Sequence, residues 1–211
     1  MTDFTYWMLF FGAAFALSIS PGPDLIYIIS RSIAHGTKIG LASAAGLWTG
    51  ALIHVLGVAF GLSTILMASA NAFTVIKYIG AAYLAYLGIQ ALRSRGVNFD
   101  LPLNKGPKLT PAQAYRQGIL VDVLNPKVAI FFMAFLPQFV RPDHGNPSLQ
   151  LVGLGALVIF VAIPVESLFV VAASRTSGFF RQHRKTSVWL DRLLGSILIA
   201  LGVRLALFEQ H

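Results

Sequence analysis

Residues 39–76 form a run of 38 positions with no Asp, Glu, Lys or Arg, in which His54 is the sole side chain that titrates near neutral pH. About 20 apolar residues already cross the hydrocarbon core of a bilayer. The run is therefore too long and too apolar for one core helix of a soluble domain. Further uncharged stretches cover residues 4–23, 78–92, 128–140, 145–165 and 193–203. In a chain that is 56% hydrophobic and 11% charged, this pattern predicts an all-α integral membrane protein with six transmembrane helices. The expected spans are 4–30, 40–68, 73–92, 116–140, 148–174 and 188–208. The start of the chain carries Asp3 where a secretory leader carries basic residues, so the first segment reads as a span. The absence of cysteine excludes disulfides and thiolate metal sites.

The formal net charge is +8, which raises the question of nucleic acid. That reading needs a folded basic surface, and the basic residues instead fall in three segments between apolar runs. These are Arg31 and Lys38; Arg93, Arg95, Lys105, Lys108 and Arg116; and Arg175, Arg181, Arg184, Lys185 and Arg192. They read as cytoplasmic segments facing anionic headgroups, with no nucleic-acid partner. The opposite side holds only Lys77, Arg141 and Arg204, so both termini are expected on the outer side.

The stretch 93–115, with Gly96, Pro102, Gly106, Pro107 and Pro111, reads as a cytoplasmic linker between two three-helix halves, 1–92 and 116–211. Three is odd, so any kinship between the halves is an inverted-topology repeat. The first helix of each half also carries a break: Ser20-Pro21-Gly22-Pro23-Asp24 in one, Leu124-Asn125-Pro126-Lys127 in the other. A proline within a helix withholds one donor and crowds the carbonyl four residues earlier. In hydrocarbon the freed groups must face protein or a wet cavity.

Asp24, Asp122, Lys127 and Glu166 lie too deep for snorkelling, and an intramembrane charge is costly, ~2.5 kcal/mol or more. Counting helical rise from the nearest basic boundary residue puts all four roughly 9–17 Å from the cytoplasmic side. They can thus meet in one cavity. Each has a structural alternative: Asp24 as the cap of the second half of its helix, Asp122 and Asn125 as partners for groups exposed by Pro126, Lys127 as a neutralising partner of Asp24 or Glu166, and Glu166 as a silent protonated acid. His54 is either a hydrogen-bonded structural histidine or a proton carrier. Gly46, Gly50, Gly57, Gly153 and Gly155 suit close helix packing.

With these residues in view, the chain resembles the LysE/RhtB family of amino-acid exporters. The resemblance rests on Ser20-Pro21-Gly22-Pro23-Asp24, on the run from Lys77 to Gly88 (KYIGAAYLAYLG), on Leu124-Asn125-Pro126-Lys127-Val128 followed by Ala134-Phe135-Leu136-Pro137-Gln138-Phe139-Val140, and on the closing Gly202-Val203-Arg204-Leu205. It implies proton-driven export of an amino acid or close derivative across the bacterial inner membrane, the homoserine/threonine/leucine branch being nearer than the lysine/arginine branch. Asp122 departs from the neutral polar residue common at its position in the family, and Glu166 is outside the family signature.

Pro21, Gly22, Pro23, Asp24, Asn125, Pro126 and Lys127 are accordingly the expected substrate-binding residues, with Asp24 on an ammonium and Lys127 on a carboxylate. Asp122, Glu166 and His54 are the candidates for proton coupling or substrate tuning. The partners expected are a small-molecule amino acid, the lipid bilayer and protons; homo-oligomerisation stays open. No cofactor and no metal is implied. A divalent-cation exporter using the deep carboxylates is the alternative, opposed by the charge of Lys127. An enzyme is not expected, since no hydrolase motif accompanies the acids.

Overall fold

In the computed structural model the described residues are 3–20, 22–62 and 109–175, with isolated positions between 78 and 93 and between 192 and 203. The expected spans 73–92 and 188–208, most of the linker 93–115, and Pro21, Lys77 and Arg204 therefore lie outside the continuously described chain.

All regular structure among the described residues is helical: α1 (Asp3–Ile19), α2 (Pro23–His35), α3 (Thr37–Gly57) running into a π-helical turn (Val58–Leu62), α4 (Pro111–Val123), α5 (Pro126–Phe135) closing in a 3-10 turn (Leu136–Phe139), and α6 (Pro147–Arg175). Two of these segments, Thr37–Gly61 and Pro147–Arg175, are long and apolar enough to cross a membrane unaided. Two more crossings arise if each bent pair counts as one: α1 with α2, bent by 51°, and α4 with α5, bent by 56°.

The bends fall where the prolines are. Pro23 is the first residue of α2 and Pro126 the first of α5, positions where a missing N–H costs nothing within the new helix. Asn125 caps α5 by accepting the Lys127 N–H at 3.1 Å. Pro164 carries the same defect, yet α6 continues through it.

Some helix ends differ from the expected limits of the spans. The helix after the first break runs to His35, past residue 30, which leaves Arg31 inside α2 and Lys38 in the first turn of α3. The connection between them shrinks to Gly36, whose φ of +81° favours a residue without Cβ. Helix α4 begins at Pro111, five residues before 116, because Thr110 and Gln113 form a reciprocal capping box. That places the last residues of the expected linker in a helix.

Close packing joins α3 to α4. A Cβ on Gly46 would collide with the Tyr115 carbonyl, and one on Gly118 with the Ser43 carbonyl. At Gly50 the atom it would meet is Asp122 Cβ, at 2.6 Å. Gly155 on α6 admits Val55, whereas a Cβ on Gly57 or Gly153 would meet no atom within 4 Å among the described residues.

Two apolar clusters hold the helices. One joins α1, α5, the end of α3 and the first half of α6 around Phe10, Phe131, Phe132, Phe135 and Phe139, with Val55, Leu151 and Val158 packed in. The other joins α2, α3 and the end of α6 through Leu25, Ile28, Ile29, Leu47, Val170 and Ala173. Large apolar side chains such as Phe4, Leu120, Phe160 and Leu168 point outward, as a lipid-facing surface requires.

Candidate functional site

The two helix breaks meet. Lys127, in the first turn of α5, sends its Nζ to Asp24 Oδ1 at 2.9 Å and Oδ2 at 2.8 Å, and donates a third bond to the Ser20 carbonyl at 3.2 Å. All three donors of the ammonium are thus used on the broken segment of the first helix. Both side chains are nearly enclosed, 9% and 11% exposed. Asp24 sits at the N-terminal end of α2, where the helix dipole favours an anion; Lys127 occupies the same place in α5, where the dipole opposes a cation by ~0.3–1 kcal/mol. The contact with Asp24 offsets that cost. Gly22 permits the approach, since a Cβ there would stand 2.5 Å from Asp24 Oδ1 and 2.8 Å from Lys127 Nζ.

Beside this pair is a cavity of about 380 Å³, its open mouth included, walled by Ser18, Asp24, Trp48, Asp122, Phe132 and Glu166 among others. It lies between the two apolar clusters, taking Leu47 from one and Val128, Phe132 and Val158 from the other.

The three acids on its wall are differently held. Asp24 is bound by Lys127. Glu166 Oε2 accepts the Trp48 indole N–H at 2.9 Å. Asp122 is buried, yet among the described residues its Oδ2 has no hydrogen-bond partner, and neither has the amide Nδ2 of buried Asn125. Buried polar atoms without partners are uncommon and ask for a reason. Among the described residues no group of three or more His, Asp or Glu side chains is arranged to hold a metal ion.

Of the residues singled out in the sequence, the structure brings Gly22, Pro23, Asp24, Asn125, Pro126 and Lys127 to one junction, with Asp122 and Glu166 on the adjoining cavity. Pro21 is outside the described residues. His54 is not on the cavity wall; its Nε2 lies 3.1 Å from the Asp122 carbonyl. Two features had no sequence signal. One is Trp48, the partner of Glu166 from 118 positions away. The other is a polar seam between α2 and α4, where Tyr27 donates to the Ala114 carbonyl at 2.8 Å and Arg31 to Gln117 Oε1 at 3.2 Å.

Residues 15–208 match the LysE type translocator family. The chain belongs to that family. Membership places it among translocators rather than enzymes, in agreement with the motif resemblance. A homoserine/homoserine lactone efflux protein of Salmonella typhimurium is 33% identical to this translocator across 96% of its length and 97% of the relative's. An uncharacterized membrane protein of Pseudomonas aeruginosa is 29% identical, with 98% and 95% covered, and one of Vibrio cholerae 31%, with 97% and 98% covered. No solved structure matches. The translocator is a multi-pass membrane protein built from helices, two pairs of which are bent at a break.

Proposed function

We propose that this translocator exports an amino acid or close derivative from the cytoplasm in exchange for protons. The observation that carries the reading is the buried Asp24–Lys127 pair at the junction of two helix breaks. A zwitterion presents the same two charges. Its ammonium replaces Lys127 on Asp24 and its carboxylate replaces Asp24 on Lys127, so the pair opens without leaving either charge bare. Removing one partner of such a pair is severe, ~3–5 kcal/mol, because the other is left buried and alone. Substrate entry avoids that cost.

Homoserine, named for the Salmonella relative, is the first substrate to try. Asp122 and Glu166 extend the site with acids that accept a proton once the ammonium departs, which makes proton and substrate alternate occupants of one cavity. We place the chemistry in a six-helix architecture of two inverted three-helix halves, in the bacterial inner membrane, with both termini outside. The bent pairs α1/α2 and α4/α5 support the repeat: each is a first helix interrupted at proline and re-entered through an N-terminus.

The test is uptake of radiolabelled homoserine, with other amino acids as competitors, into proteoliposomes carrying an imposed pH gradient. Asp24→Asn and Lys127→Met, each inserted and folded, are expected to abolish uptake. Transport at the parent rate by either variant removes the site assignment, and uptake indifferent to collapse of the pH gradient removes the coupling.

A further inference from the structure

Pro126 leaves a specific vacancy. In a continuous helix its N–H would bond the carbonyl four residues earlier, that of Asp122; proline has no N–H to give. Within a membrane an unmet carbonyl costs several kcal/mol. The Asp122 carbonyl is nevertheless met twice. The Asn125 N–H reaches it at 2.9 Å as the chain turns, and His54 Nε2 reaches it at 3.1 Å from the neighbouring helix α3.

A carbonyl oxygen only accepts, so the nitrogen facing it carries the hydrogen. The bond is present in the neutral Nε2–H tautomer and in the imidazolium alike, and does not depend on the ring changing charge. Spacing along α3 fits the task. Gly50, one turn before His54, lets the Asp122 Cβ against the helix, and His54 then meets the main chain of the same residue. The cavity lies on the side of α3 formed by Leu47, Trp48 and Ala51. The titratable groups brought there by the packed helices are Asp24 from α2, Asp122 from α4 and Glu166 from α6, with Lys127 of α5 on Asp24.

We infer that His54 is a positioning residue: it returns to α4 the hydrogen bond that Pro126 withholds, and so fixes the break that presents Asp122, Asn125 and Lys127. Its role in transport rests on the export reading above, and it is not the carrier of the coupled proton. The same bond in the same place requires only a donor of similar reach.

A double-substitution cycle tests the bond apart from transport. The melting temperature of the purified protein is compared for the parent, His54→Leu, Pro126→Ala and the double variant. Alanine at 126 restores the missing N–H, so the loss caused by His54→Leu is expected to fall by at least half in that background. An equal loss in both backgrounds overturns the inference. Homoserine uptake into proteoliposomes is then followed against pH for the parent, His54→Leu and His54→Gln. His54→Leu is expected to be impaired, while His54→Gln, which donates but does not ionise, keeps the parent pH profile. A flattened pH profile in His54→Gln makes His54 the proton carrier and overturns the inference. Failure of the parent itself to take up any amino acid counts against the export reading, and the melting cycle still decides the hydrogen bond.

Discussion

At Gly22 the backbone is extended, with φ of −159°, a conformation open to any residue, so the need for glycine there is one of space. An added methyl meets the carboxylate and the ammonium of the central pair at under 3 Å. Gly22→Ala is therefore expected to force Asp24 and Lys127 apart and to lower homoserine uptake by about tenfold or more, ~1.4 kcal/mol, with membrane insertion retained. Gly12→Ala, at a position with nothing within 4 Å, serves as the silent control. Parent-level uptake by Gly22→Ala would show that the pair tolerates displacement. Asn125 acts at the same junction through the Lys127 N–H. Asn125→Ala loses that cap, and a fall in stability of ~1 kcal/mol, read as a lower melting temperature in detergent and largely recovered by Asn125→Ser, is the expected result.

The elements were legible in the sequence where their cause is local and covalent. Pro23 and Pro126 cannot donate, whatever surrounds them, and both breaks stand where they were expected. Pro164 shows what else a break needs. Asn125 can cap a new helix and Gly22 can let a neighbouring chain close in, whereas Ile163 and Val165 offer neither, and α6 stays whole. Arg31 and Lys38 misled the boundaries because a long basic stem reaches an interface from within a helix, while the actual turn is Gly36 alone. The candidate site was legible as a set of deep charges, with Lys127 set against either Asp24 or Glu166, but the choice between the two was not. Asp24 with Lys127, and Trp48 with Glu166, are partners more than 100 positions apart, and nothing in a linear pattern records which faces meet. The glycines of α3 illustrate the same limit: Gly46 and Gly50 carry the contact with α4, and at Gly57, on the same helix, an added Cβ would meet none of the described residues. Gly118→Leu should accordingly separate α3 from α4, at a cost of ~1–3 kcal/mol or more for overpacking, seen as a lowered melting temperature and loss of uptake. Gly153→Leu, at a position where an added Cβ meets none of the described residues, should leave both unchanged; equal damage from the two substitutions would contradict the packing described.

Across the whole molecule the cavity has an aromatic cluster of α1 and α5 on one side and an aliphatic cluster of α2, α3 and α6 on the other. Passage through it requires each cluster to part in turn, which fits a carrier better than an open channel. Which cluster faces the cytoplasm follows from orientation. Apart from Lys127 in the site, twelve of the basic residues fall on the side of 31–38, 93–116 and 175–192, against three on the other. In the orientation proposed above, residues 141–147 lie outside, next to the aromatic cluster, and the connection at Gly36 inside, next to the aliphatic one. Because the chain has no cysteine, single substitutions report position without background. A membrane-impermeant maleimide applied to intact cells is expected to label Asn146→Cys and to spare Lys38→Cys and Lys105→Cys, which label only after the membrane is opened. The reverse pattern would turn the molecule over, put the aromatic cluster on the cytoplasmic face and make loading from inside begin at the end of that cluster where the Tyr6 hydroxyl donates to the Phe139 carbonyl. Labelling of Asn146→Cys and Lys105→Cys together from outside would break the six-span count itself, since an odd number of crossings must separate them.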